Sequence, residues 1–230
     1  MRKVMDDDLV KRYIDIQIAM QGRIIYRNYV NIWDITLVAG VDLAYWKENE
    51  IEYAVCCIVV VDYNTKNIVE SKYCIDKVVT PYIPGCLAFR EVPLFLKTKC
   101  LLNNVPDIYF FDGNGYLHPR HMGIATQAGI LIDMPSIGIA KTYYKINNVD
   151  YPMPLNEKFA FNDIVINGEV YGRVLRTQLN VKPIFISMGN KIDLETAMCV
   201  VENMVTKDSH IPLPTRLADI MTHKIRKKFS

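Results

Sequence analysis

Two aspartates stand in matching contexts in this sequence. Thr36-Leu37-Val38-Ala39-Gly40-Val41-Asp42-Leu43 is a near-continuous apolar run that meets a carboxylate, and Ile108-Tyr109-Phe110-Phe111-Asp112 repeats the pattern ahead of Gly113-Asn114-Gly115. An ionised carboxylate deep inside such a run is strongly disfavoured unless it is paired or bound to a cation. Each aspartate therefore belongs at a strand end or at a site, and for Asp42 alone a strand-terminal surface residue is the ordinary alternative. Two such strands side by side would bring both carboxylates to the strand ends, where open α/β sheets place their sites. Their repulsion then calls for a cation. Mg²⁺ suits the place, because it takes oxygen ligands, keeps several waters and is usually held by one or two carboxylates plus phosphate oxygens. Two further acids could join them. Glu91 follows Phe89-Arg90 at an expected helix start, and Asp219 lies three residues after Arg216 on the same helical face. Taken singly, each reads better as a surface residue.

The elements that would position these acids follow from periodicity and turn chemistry. Residues 9 to 27 carry apolar positions at helical spacing behind Asp6-Asp7-Asp8, negative charge that favours a helix start. Residues 36–43, 51–61 and 68–75 read as three strands, the last two joined across the Asn64-Thr65-Lys66-Asn67 turn signal into an antiparallel meander. After the Pro-marked loop Pro81-Tyr82-Ile83-Pro84-Gly85 the pattern alternates: helices over 91–102, 120–132, 193–205 and 215–228, strands over 107–112, 136–140, 170–177 and 183–187. Pro212 and Pro214 enter the last helix, where proline is tolerated. The expectation is an α/β fold with one mixed sheet, an antiparallel meander followed by α/β units, flanked by helices. No repeat, low-complexity stretch or Gly/Ser linker interrupts the 230 residues, so 1–230 is expected to be a single domain.

Composition excludes several classes. Half the residues are apolar and 23% are charged, which is too apolar for a disordered chain. A net charge of +2 rules out a histone-like polycation, although residues 1–76 carry −3 and residues 77–230 carry +5. Arg216, Lys224, Arg226, Lys227 and Lys228 face only Asp219 in the last fifteen residues. That tail either lies along phosphates or is a solvated basic helix end complementing the helix dipole. Met1 to Asp8 has no apolar signal core, and the longest apolar run, Ala54 to Val61, falls far short of the roughly 20 residues that span a bilayer. Cys56, Cys57, Cys74, Cys86, Cys100 and Cys199 show neither Cys-x-x-Cys nor zinc spacing. They are expected to be reduced core thiols of a cytoplasmic protein with no membrane association.

From about Val38 to Arg226 the chain resembles the endonuclease V family, the deoxyinosine-directed DNA repair nucleases. The resemblance is carried, in order, by Val38-Ala39-Gly40-Val41-Asp42, Pro81-Tyr82-Ile83-Pro84-Gly85-Cys86-Leu87-Ala88-Phe89-Arg90-Glu91, and Pro106-Asp107 through Asp112-Gly113-Asn114-Gly115 to His118-Pro119-Arg120. It continues through Pro135-Ser136-Ile137-Gly138-Ile139-Ala140-Lys141 and Leu213-Pro214-Thr215-Arg216-Leu217-Ala218-Asp219. The resemblance implies a ribonuclease H-like fold with Asp42, Glu91, Asp112 and Asp219 as an acidic cluster, Asp42 and Asp112 holding the principal metal. It further implies a wedge of Pro81, Tyr82, Ile83 and Pro84 that fills the place a lesion leaves, and a base pocket formed by the backbone of Gly85, Leu87 and Gly113. For Gly85, a packing role is the alternative. Lys141 resembles a family lysine near the scissile phosphate, where a snorkelling surface lysine would be the usual reading. His118 and Arg120, just past the Gly-rich loop, are expected to neutralise a phosphate or support an acidic ligand, and His121 to lie at the surface. Many relatives have histidine where Ser187-Met188-Gly189-Asn190 ends in asparagine, which can donate to phosphate but cannot act as a base.

The activity implied is Mg²⁺-dependent hydrolysis, with Mn²⁺ substituting, of a phosphodiester one nucleotide beyond deoxyinosine on its 3′ side. The partner is damaged DNA and the protein is expected to act as a monomer. Two alternatives stand beside it, an endoribonuclease acting on inosine in RNA and a non-catalytic lesion-binding protein.

Overall fold

The computed structural model describes residues 7–229. The N-terminal residues through Asp6, and with them most of the stretch read as lacking a signal core, lie outside the described residues. Helix α1 covers Asp7–Gln21 and ends at Gly22, earlier than its periodicity suggests. A 3₁₀ turn, Ile32–Asp34, then leads into β1 (Leu37–Glu48), β2 (Ile51–Asp62) and β3 (Ile68–Lys77), the expected meander. Helix α2 (Leu87–Lys99), β4 (Ile108–Asp112), α3 (Ile124–Ile132) and β5 (Ser136–Ala140) follow. The chain closes with β6 (Ala160–Ile166), β7 (Glu169–Arg176), β8 (Ile184–Asn190), α4 (Leu194–Asn203) and α5 (Leu213–Arg226).

The eight strands form one mixed sheet in the order β3-β2-β1-β4-β5-β8-β7-β6. β1, β4 and β5 run parallel at its centre, and every other pairing is antiparallel. Helices α2 and α3 cover one face over Val41, Ile58, Tyr109 and Phe111; α4 and α5 cover the other over Val38, Val59, Ile108 and Phe110. The central strands are apolar on both faces because both faces are covered.

Strand β6 was not anticipated. Its signal is the Asn167-Gly168 pair, both at positive φ (52° and 84°), the turn chemistry of a tight hairpin between β6 and β7. Helix α2 begins four residues before Glu91, which places that acid in the second turn rather than at the start. Helix α3 begins at Ile124 rather than at residue 120. Cys56, Cys57 and Cys86 are buried as expected, whereas Cys74 is half-buried and Cys100 and Cys199 are exposed, so the core assignment fails for the last two. No helix among the described residues is long and apolar enough to cross a membrane.

Candidate active site

The parallel register of β1 and β4 pairs Val41 with Phe111, and one step further along each strand come Asp42 and Asp112. Both point to the face covered by α5, which supplies Asp219. A ligand oxygen from each of Asp42, Asp112 and Asp219 lies within 4.8 Å of the other two. Helix α5 reaches this position because β1 has no side chain at Gly40: a Cβ there would fall 1.9 Å from the Pro214 carbonyl oxygen. Thr222, one turn beyond Asp219, donates its hydroxyl to Asp42 Oδ2 at 2.6 Å.

Glu91 approaches from the opposite face of the sheet. It stands outside the tight trio but borders, with Asp42 and Asp112, a cavity of about 170 Å³. Tyr45 donates its hydroxyl to Glu91 Oε1 at 2.8 Å. Burial raises the Asp42 carboxyl to about 7, opposed by the Thr222 bond and reinforced by Asp112 and Asp219. Burial likewise raises Glu91 to about 8, with Asp42 and Asp112 adding to it and Tyr45 opposing it. Lys141, just past β5, places Nζ 2.6 Å from Asp112 and 3.3 Å from Asp219. Its burial opposes the charged ammonium, but those carboxylates outweigh it and hold the lysine above its usual range. The four acids form a hard-oxygen donor set, three of them within reach of one ion, and this crowding of carboxylates beside buried Asp42 and Glu91 fits a divalent cation of the Mg²⁺ class.

A second cavity, about 90 Å³, shares Ile124 with the acidic cavity and opens between the 81–87 loop and the loop after β4, with Tyr82, Gly85, Leu87, Asn114, His118 and Met122 in its wall. Tyr82 is 64% exposed at its mouth, flanked by exposed Pro81 and Pro84, while Ile83 is buried and anchors the loop from beneath. Gly85, at φ +74°, turns its carbonyl inward, where it meets Gln17 Nε2 at 3.0 Å, His118 Nε2 at 3.0 Å and Arg120 Nη2 at 2.8 Å. His118 Nδ1 in turn accepts from the backbone N–H groups of Arg120 and Met122. That arrangement requires the neutral imidazole with its proton on Nε2.

His118 and Arg120 are thus committed to the loop's carbonyl rather than presented to a phosphate. Gly113 is not in the pocket wall, since its N–H donates to Ile139 O at 3.0 Å within the sheet; its neighbour Asn114 takes that place. Asn190 is buried, accepting from Ile25 N and donating to Gly129 O, so it ties the segment after α1 to α3 and does not face a phosphate. His121, expected at the surface, stacks on Tyr116 with ring centroids 3.9 Å apart.

Sequence reading overlooked Thr222, Tyr45 and Gln17. Thr222 carried a signal, standing three residues after Asp219 on one helical face. Gln17 is a buried polar residue on an otherwise ordinary helix, and Tyr45 looked like one more strand aromatic; neither had a local mark.

A ribonuclease H-like sheet with a carboxylate cluster where β4 ends at Asp112, beside Asp42 in the middle of β1, defines a metal-dependent nuclease. The endonuclease V family model matches residues 18–220, and the chain belongs to that family. Endonuclease V of Bacillus thuringiensis subsp. konkukian is 54% identical over 220 residues, 96% of this chain and 94% of its own. The crystal structure of endonuclease V from Bacillus subtilis matches with a TM-score of 0.93 at 43% identity, over 100% of this chain and 94% of that one. Endonuclease V of Ciona intestinalis, solved in complex with a 24mer DNA containing an inosine followed by a ribo-adenosine, matches at TM-score 0.88 and 28% identity, over 97% of this chain and 100% of that one.

Proposed function

We propose that this chain is a cytoplasmic, monomeric DNA repair endonuclease. It recognises deoxyinosine and hydrolyses the phosphodiester one nucleotide beyond it on the 3′ side, leaving 3′-hydroxyl and 5′-phosphate ends. The observation that carries this reading is the juxtaposition of the Asp42–Asp112–Asp219 cluster with the pocket behind Tyr82. Asp42, Asp112 and Asp219 would hold Mg²⁺, or Mn²⁺ in its place, with Glu91 at the cavity's far wall. The cation, when bound, polarises the phosphoryl oxygens, lowers the pKa of the attacking water and stabilises the departing 3′-oxygen.

The protein's own groups do the rest. Thr222 fixes the orientation of Asp42, and Lys141, beside Asp112 and Asp219, would offer its ammonium to a phosphate oxygen. Tyr82, stiffened by Pro81 and Pro84, fills the gap that an extruded base leaves, offsetting part of an unstacking cost of about a few kcal/mol per step. The backbone around Gly85 and Leu87 meets the purine's O6 and N1 edge, and a close wall there rejects the 2-amino group of guanine. Because pocket and metal site are separate, the lesion serves as an address and stays on the strand.

The test is to incubate a duplex containing one deoxyinosine with Mg²⁺ and map the nick, beside a matched RNA strand containing one inosine. A single nick one nucleotide 3′ of the lesion is expected in DNA. Faster cutting of the RNA strand would reassign the substrate, and indifference to inosine would overturn the reading. Asp42→Ala should still bind the duplex yet fail to nick it; a metal-dependent nick from that variant would refute the assignment of Asp42.

A further inference from the structure

Glu91 is the one acid of the site that arrives from the far face of the sheet, and its carboxylate must be aimed across the end of β4 to be of use. The aiming group on this structure is Tyr45, whose hydroxyl donates to Glu91 Oε1 at 2.8 Å. Tyr45 lies three residues after Asp42 on β1, so the alternation of a strand turns its side chain to the face opposite Asp42. From there its hydroxyl meets Glu91 on α2. The Tyr45 ring is itself held by Arg90, whose guanidinium lies 4.4 Å from the ring centroid.

Arg90 has two further bonds. Its Nη2 pairs with Glu52 on β2 at 2.8 Å, and its Nη1 donates to the Thr80 carbonyl at 2.7 Å. Thr80 immediately precedes Pro81, at the base of the loop that carries Tyr82. A planar guanidinium can satisfy ring, carboxylate and carbonyl at once, because its donors are fixed in a fork and its face remains free to stack. A continuous chain of contacts therefore runs from the loop base, through Arg90 and Tyr45, to the acid.

We infer that Tyr45 is a positioning residue that sets Glu91 for the cation, and that Arg90 ties this setting to the base of the Tyr82 loop, so that acid and loop are held as one unit. The inference rests on the proposed nuclease reading only for the meaning of the loop; the setting of Glu91 can be measured without any substrate. Losing a group that orients a metal-site carboxylate typically costs about 10- to 100-fold in metal affinity or activity.

The experiment compares wild type, Tyr45→Phe and Arg90→Met as full-length proteins. Mn²⁺ is titrated calorimetrically without DNA, binding of a deoxyinosine duplex is measured with Ca²⁺ in place of Mg²⁺, and nicking is followed with Mg²⁺ at saturating duplex. Tyr45→Phe keeps the ring under Arg90 and removes only the hydroxyl. It should weaken Mn²⁺ binding and lower kcat by about 10-fold or more, with duplex affinity within about two-fold of wild type. Arg90→Met should show both losses and weaker duplex binding as well, since Thr80 loses its tie.

Wild-type Mn²⁺ affinity and kcat in Tyr45→Phe would overturn the inference. So would an Arg90→Met protein that binds duplex weakly but retains both metal affinity and kcat, for the loop and the acid would then be independent. If Arg90→Met does not fold, Arg90→Lys takes its place, keeping a charge over the ring without the fork. A wild-type protein that ignores deoxyinosine would remove the proposed substrate yet leave the Mn²⁺ comparison decisive for Tyr45.

Discussion

His118 shows how one side chain's chemistry is set by its surroundings. Burial, aided by the nearby Arg120 charge, pushes its imidazole down to about 4. In the unfolded chain the same group titrates near its ordinary value of about 6.5. The unfolded state thus binds more protons between these values, so stability rises with pH across the window; it is fully present above about 6.5 and lost as pH falls towards 4. The raised Asp42 and Glu91 carboxyls act in the opposite direction over this interval, so the His118 contribution is read as a difference: as pH falls, the wild-type urea midpoint should fall relative to that of His118→Asn. Equal slopes would show that His118 is not buried as a neutral ring. The same variant should weaken binding of a deoxyinosine duplex, because one of the three donors that hold the Gly85 carbonyl is lost.

At the scale of elements, the site depends on how closely α5 lies against β1. Gly40 is where they meet, and a methyl group there would overlap the Pro214 carbonyl, which is backbone and cannot rotate away. Gly40→Ala should therefore destabilise by about 1–3 kcal/mol, the usual cost of overpacking a well-filled contact. It should also displace Asp219 and Thr222 together, because both ride on the same helix. The measurement is twofold: thermal unfolding, and nicking rate well below the unfolding temperature. A protein of normal stability and full activity would contradict the close approach. The 81–87 loop is the other element that matters, with Ile83 buried as its anchor and Tyr82 exposed as its tip.

For the whole molecule, the acids gathered at the sheet's centre make stability depend on both metal and pH. Asp42 and Glu91 are raised to about 7 and about 8 in the metal-free protein, well above the ordinary carboxyl values of about 4 that they recover on unfolding. A raised folded pKa gives stability that is fully present below the unfolded value and lost as pH rises through the folded one. In chelator, these two groups should make the protein less stable at pH 8.5 than at pH 6. Mg²⁺ should raise the unfolding temperature more at the higher pH, where the cation need not displace protons. An Mg²⁺ stabilisation independent of pH would argue against a cation held by these carboxyls. Removing the metal with chelator should abolish nicking, and restoring Mg²⁺ should recover it.

Much of this was written in the local pattern. The two apolar runs that meet Asp42 and Asp112 announced neighbouring strands that bring their acids together, since buried strands must be apolar and a carboxylate must escape or be paired; β1, however, does not end at Asp42 but continues to Glu48. The meander, the stiff Pro-Tyr-Ile-Pro loop and the α/β alternation were equally legible, because turn residues and hydrophobic period act over a few positions. The β6–β7 hairpin carried the same kind of signal in Asn167-Gly168. What no local pattern could show was the partner of each polar group. That His118 and Arg120 serve the Gly85 carbonyl, that Asn190 is sealed between the segment after α1 and α3, and that Tyr45 reaches Glu91 are contacts between residues 33 to 165 positions apart. The sequence determined which side chains were available and which faces had to be buried. Only tertiary packing decided which polar atoms met, because a buried donor takes whichever acceptor the fold brings within 3 Å of it, at any distance along the chain.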